Sequence, residues 1–226
     1  VIETLQGNLA HALNTGFDAE GLQLFSAWLP LGEALGKLLA QITQGRPQAV
    51  EVSYYGEFEK NPDPIASAVA RGLLEQVLEA GAINLVSARP LLRDRGIALV
   101  TRQVQEPLDY RQVLEVRLET DKETRKVRGA VLGGKPRIVG IDDHTVEAVP
   151  SGYMLVCINR DRPGVVGKVG TLLGENNINI AGMQLGRDNP GGKALFVLAI
   201  DERPGEAVLS ALRGLDVLER VDLAEL

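Results

Sequence analysis

The sequence predicts an α/β (α+β) protein built from two small domains with antiparallel-rich sheets. Apolar segments with period-two alternation are joined by short polar turns such as Asp121-Lys122-Glu123 and Asp142-Asp143, which is hairpin patterning. Segments with helical periodicity lie among them, including Leu31, Leu35, Leu38, Leu39 and Ile42 on one face. Pro150-Ser151-Gly152 interrupts the pattern and places the division near residue 151. The expected units are residues 1–20 (a leading helix and connector), 21–150 and 151–226.

Val1 to Leu13 reads as a helix closed by Asn14-Thr15-Gly16, with Phe17 to Gly21 as a connector. The chain opens in mid-helix without a methionine or a cap, so the expectation is a portion of a longer polypeptide. A second helix spans Leu24 to Ile42, with Pro30 marking the start of its regular part and Gly45-Arg46-Pro47 its end. Ala49 to Phe58 alternates as a strand. Helices are expected over Ile65 to Leu78, ended by Gly81, and over Asn84 to Arg95, ended by Gly96. Strands follow at Ile97 to Gln105, Tyr110 to Glu119, Arg125 to Leu132, Arg137 to Ile141 and Thr145 to Val149.

The second unit is organised around Arg160 to Gln184. An apolar strand, Tyr153 to Ile158, leads into Asp161-Arg162-Pro163-Gly164. Asp161 suits a helix N-cap and Pro163 a first turn. Val165, Val166, Val169, Leu172 and Leu173 recur near the helical period. Asn179 sits between Ile178 and Ile180 in the next strand. Backbone N–H groups at such a helix start lack partners, which suits them to a carboxylate. Lys193 to Asp201, a helix at Pro204 to Leu212 and a strand at Val217 to Leu223 complete the unit.

The motif DRPGVVGKVGTLL, closed by Asn177-Ile178-Asn179-Ile180, resembles the opening of an ACT domain, a small ligand-sensing module of amino-acid metabolism. The resemblance implies a ferredoxin-like βαββαβ fold. The segments VEVSYYGEF, DPIASAVARGLLEQVLEAGAINLVSARPLLRDRGI and VRGAVLGGKPRIVGID resemble the intervening (allosteric substrate-binding) domain of long-form D-3-phosphoglycerate dehydrogenases, which precedes an ACT domain in that family. VIETLQGNLAHALN resembles the last helix of that family's catalytic core. The resemblance covers essentially the whole chain and makes it the regulatory portion of such an enzyme, with NAD the cofactor of the full-length parent. No G-x-G-x-x-G follows a strand in this sequence, so no cofactor and no catalytic residue is assigned to this chain.

Positions matching Asn159, Asp161 and Asn179 hold L-serine between two ACT domains in that family, which often carries His or Tyr where Asn159 stands. The predicted effector site is Asn159, Asp161, Arg162, Pro163, Gly164 and Asn179, with the polar groups converging on one helix start. The resemblance also implies homo-oligomerisation through ACT domains and feedback inhibition by serine. Lys135, Arg137 and His144 flank the last hairpin and form a candidate phosphate grip, weighed against an ordinary solvated surface. Two other readings stand beside this one. The β chain of an iron–sulfur L-serine dehydratase pairs a related domain with an ACT domain, but its Gly-Pro-Ser-Ser-Ser-His opening is absent and Cys157 alone cannot hold a cluster. A stand-alone amino-acid-binding ACT module is the other.

Composition narrows the remaining classes. The net charge of −6 argues against nucleic acid as a main partner. No apolar run approaches the roughly 18 residues of a membrane-spanning helix, and no signal peptide is seen, so a cytoplasmic setting without membrane contact is expected. A single cysteine excludes a disulfide framework and a zinc cluster, and no metal site is expected. Cys157 and Trp28 read as packing residues, and His11 as a surface or interface residue.

Overall fold

The computed structural model describes residues 19–58, 62–76, 78, 83–106, 108–187 and 189–226. The predicted Val1 to Leu13 helix and His11 lie outside the described residues, as does Gly81. Helix α1 (Ala19–Ile42) is followed by β1 (Pro47–Tyr55), α2 (Asp63–Leu74), α3 (Ala88–Asp94) and β2 (Ala98–Val104). Next come β3 (Val113–Thr120), β4 (Thr124–Leu132), β5 (Lys135–Ile141) and β6 (His144–Ala148). The second unit contains β7 (Tyr153–Arg160), α4 (Val165–Glu175), β8 (Ile180–Arg187), β9 (Lys193–Ile200), α5 (Glu206–Arg213) and β10 (Leu218–Glu225).

Several boundaries differ from expectation. Helix α1 already includes residues 19–21 of the expected connector, and it runs through Pro30 instead of starting there. The cost is one backbone hydrogen bond, since proline has no N–H to give the carbonyl one turn back. Helix α2 begins two residues early and stops at Leu74. The expected helix from Asn84 shrinks to α3, because the Asn84 Oδ1 accepts from the Val86 and Ser87 N–H groups and holds a turn instead.

The first unit has a six-stranded sheet of order β2-β1-β3-β4-β5-β6. Strands β1 and β2 are parallel, joined by the α2–α3 crossover, and the other pairings are antiparallel. One face buries Val50, Val52, Tyr54, Leu114, Val116 and Leu118 beneath the helices. Trp28 packs edge-on to Phe58, with ring centroids 4.8 Å apart. Helices α1 and α2 meet backbone to backbone. A Cβ on Gly36 would meet the carbonyl of Val69, and one on Gly72 that of Glu33, so only glycine permits this approach.

The second unit has a four-stranded antiparallel sheet of order β10-β7-β9-β8, the arrangement expected of βαββαβ. Alternation gives it two apolar faces. Leu155, Cys157, Phe196, Leu198 and Val221 pack under Val165, Val169 and Leu173 of α4 and Leu209 and Leu212 of α5. Met154, Val156, Leu195, Val197 and Ala224 point the other way and join the core built around α1. The two sheets therefore share one continuous core.

Candidate functional site

The turn after β7 forms the start of α4. Gly164 is the N-cap at φ 91°, a left-handed conformation that favours glycine, and no side chain caps the helix. The first intrahelical bond runs from the Lys168 N–H to the Gly164 carbonyl, which leaves the N–H groups of the first turn without helical partners. Val165 is buried and fixes the helix on the sheet, while Arg162, Pro163 and Gly164 are exposed. Asp161 is not the N-cap that the sequence predicts. Its Oδ2 accepts from Arg187 Nη1 at 3.0 Å and from the Gly191 N–H at 3.4 Å, tying the turn to the end of β8. Asn159 is 2% exposed; its Nδ2 donates to the Arg160 carbonyl at 2.7 Å, and its Oδ1 is buried without a hydrogen-bond partner. A buried acceptor beside unpartnered N–H groups is a site with both signs of polarity on offer.

Asn179 is elsewhere. It precedes β8 instead of lying within it, and its Nδ2 donates to Asp201 Oδ2 at 2.6 Å while its N–H donates to Glu202 Oε2 at 3.0 Å. Asp161 is held at the Arg187 end of β8 and Asn179 stands before the Ile180 end, so the eight-residue strand lies between them. At about 3.3 Å per residue the separation along the sheet is about 25 Å. Within one chain the predicted polar set does not converge.

The second predicted cluster also divides. Lys135 opens β5, while His144 opens β6 and pairs with Ile141 at the far end of β5, about 20 Å away at strand spacing. Arg137 Nη1 donates to the Pro136 carbonyl, and its Nε lies 4.0 Å from Glu147. His144 instead abuts β8, where its Cβ and the Thr145 carbonyl crowd Gly186. The three residues do not form one phosphate grip. Among the described residues no group of three or more His, Cys, Asp or Glu is placed to hold a metal, and no helix is long and apolar enough to cross a membrane.

Comparison with known proteins decides the family. A family model of the D-3-phosphoglycerate dehydrogenase intervening domain matches residues 24–142, and the ACT domain model matches residues 153–217. The chain belongs to the D-3-phosphoglycerate dehydrogenase intervening-domain family. Its C-terminal unit is an ACT domain. It is 38% identical over 192 residues to the D-3-phosphoglycerate dehydrogenase of Archaeoglobus fulgidus, covering 84% of this chain and 36% of that protein. The enzyme of the same name from Methanocaldococcus jannaschii is 33% identical over 227 residues, covering 99% of this chain and 43% of the relative. That from Synechocystis is 32% identical over 200 residues, with 87% and 36% covered. The chain thus spans less than half the length of these relatives.

Sequence reasoning missed the contact between the intervening and ACT domains. Arg220 of β10 reaches Glu123 with Nη1 at 2.7 Å and Nη2 at 3.0 Å, and its Nε lies 2.6 Å from Asp222. Nη2 also donates to the carbonyl of Ile42, the last residue of α1. Arg125, only 5% exposed, donates to the same carbonyl at 3.1 Å and pairs with Asp142 at 2.8 Å and Asp222 at 3.6 Å. Both cations thus complement the carbonyl end of the helix. The hydrogen bond from Arg220 holds the Glu123 carboxyl below its usual range, whereas burial pushes that of Asp222 up despite its two arginines. Gln41 and Glu225 exchange hydrogen bonds at 3.0 and 2.9 Å nearby. No signal in the sequence marks this contact, because β4 and β10 each carry other charged residues besides Arg125 and Arg220. Cys157 is buried in the ACT core, and burial pushes its thiol up, away from the reactive thiolate.

Proposed function

We propose that this chain is the serine-sensing, oligomerising portion of a D-3-phosphoglycerate dehydrogenase, whose NAD-dependent chemistry resides in the rest of the protein. The observation that supports this reading is that the α4 start with Asp161 and the residue Asn179 stand at opposite ends of one outer strand. β8 is the outer strand of its sheet and is exposed along nearly its whole length, with Met183 and Leu185 41% and 49% exposed. An antiparallel β8–β8 pairing across a two-fold axis sets the Ile180 end of one copy beside the Arg187 end of the other. Asn179 of a second copy then faces Asn159 and the α4 start, and each of the two seams holds a complete site.

L-Serine fits the chemistry of such a seam. Its carboxylate takes the unpartnered N–H groups at Gly164 and the first turn of α4. Its ammonium and hydroxyl groups donate to the buried Asn159 Oδ1 and to the side chain of Asn179, which Asp201 orients. Asp161 is engaged by Arg187 and shapes the turn. Binding across the seam favours the paired arrangement by its differential affinity, and the intervening domain passes the bias to a water-exposed, cytoplasmic catalytic core.

Calorimetric titration with L-serine, D-serine and glycine tests the ligand. Mixing tests the geometry. Asn159→Ala and Asn179→Ala chains each lose binding alone, but a mixed dimer contains one seam with both native residues and recovers it. Failure of the mixture to bind overturns the shared site, and equal heats from D- and L-serine overturn the ligand assignment.

A further inference from the structure

The intervening domain contains a hollow on the helix-covered side of its sheet, remote from the proposed ACT seam. It is a cavity of about 430 Å³ beneath the ends of α1, α2 and α3. Leu73, Leu74, Leu92, Ile97 and Leu118 form its apolar wall. Its polar side chains are those of Thr43, Arg46, Gln76, Arg95 and Thr120. Thr43 contributes a hydroxyl that is shielded from solvent and has no hydrogen-bond partner. Arg46 and Arg95 stand at the mouth, both exposed. Among the described residues neither guanidinium forms an ion pair. Arg95 makes only a long 3.4 Å contact with the Leu91 carbonyl, and Asp121, the acid beside Arg46, binds its backbone N–H at 2.7 Å.

Two unpaired guanidiniums over an apolar chamber with one unpaired hydroxyl match one kind of ligand. We propose that this cavity is a binding site for a small amphipathic anion, a short apolar body carrying a carboxylate or phosphate monoester. The body fills the leucine-lined wall, the head lies between Arg46 and Arg95, and the Thr43 hydroxyl turns toward a head-group oxygen. The volume lies at the lower end of the range of small-molecule pockets, roughly 300–1,000 Å³, which limits the body to a short chain or a single ring.

Hexanoate, hexyl phosphate, 1-hexanol and acetate separate the contributions of head and body, and the two hexyl anions decide the head group. Titration of the whole chain followed by amide NMR should show saturable shifts at residues 43–46 and 95–97 with a hexyl anion. The neutral alcohol and acetate should each bind at least about tenfold more weakly, a loss on the scale of one charge-assisted bidentate contact. The double substitution Arg46→Gln and Arg95→Gln should weaken the hexyl anion to the level of hexanol without lowering the melting temperature, because both side chains are exposed. Thr43→Val, which keeps the shape, should weaken it further. Excess L-serine should not compete. Equal binding of hexanol and hexanoate, equal binding of acetate, or no saturation in the millimolar range overturns the proposal.

Discussion

Replacing Arg220 with alanine severs the strongest polar link between the ACT and intervening domains, and its cost can be worked out. The side chain makes a bidentate pair with Glu123 at 2.7 and 3.0 Å and a 2.6 Å contact with Asp222, and it donates to the Ile42 carbonyl. An exposed pair contributes about 0.2–1 kcal/mol, whereas stripping one partner from a buried pair costs about 3–5 kcal/mol. Here the side chains are 18% and 26% exposed, so the case is intermediate. Glu123 can rehydrate, and Asp222 keeps Arg125 at 3.6 Å. The expected loss is about 2–3 kcal/mol at neutral pH. Urea unfolding of wild type and variant measures it, with an unchanged m-value showing that the difference is one of stability. The pH dependence gives an independent check. Glu123 has a folded pKa below its ordinary value of 4.5, so its contribution is complete above that value and is lost as pH falls through the lower folded one. Asp222 is shifted the other way by burial, so its ionisation opposes folding and acid relieves that cost. Without Arg220 the first benefit disappears and the second cost grows. The gap between wild type and variant should therefore narrow in acid. A loss under about 0.5 kcal/mol, or a gap that ignores pH, would mean the pair is solvent-screened and the reasoning is wrong.

Gly72→Ala should cost about 1–3 kcal/mol, or roughly 2–10 °C in melting temperature, because the new Cβ meets a backbone carbonyl that cannot swing aside; calorimetry showing no shift would refute the close crossing of α1 and α2. Met183→Glu should abolish self-association while leaving the melting temperature of the isolated chain unchanged, since the side chain is 41% exposed. Sedimentation velocity decides this, and a variant that still dimerises would exclude β8 as the seam.

The hairpins of both sheets were legible because a period of two and a polar turn together leave little choice of register. Helix ends were less so. A proline interior to α1 and a side-chain turn at Asn84 are decided by tertiary packing and by one local hydrogen bond, neither of which periodicity reports. The site residues show the limit more sharply. Asn159 and Asp161 adjoin the α4 start because the chain puts them there. Asn179 follows after a helix that carries the chain back down the sheet, and β8 then climbs away from it. Position in sequence could not reveal that an eight-residue strand separates the two ends. Lys135 and His144 fail as a cluster for the same reason, since a strand lies between them. Arg125 and Arg220 read as ordinary surface cations in alternating strands, and their partners exist only once the two sheets are docked.

That docking restricts how a signal from the proposed β8 seam can travel. The ACT sheet is covered on one face by its own helices and on the other by the core around α1, and its β10 side is tied to α1 through Arg220 and Gln41. The helix end at Ile42 receives an arginine from each domain, and Arg220 crosses from β10 to reach it, so a hinge between the domains would have to break the Arg220 bonds to Ile42 and Glu123, separate Arg125 from Asp222 and open shared apolar core. A movement driven from β8 would then carry the ACT and intervening domains together. The described unit should then unfold as one. Scanning calorimetry should give a single transition whose calorimetric and van't Hoff enthalpies agree. Two resolved transitions, with the ACT domain melting separately, would place a hinge inside the pair.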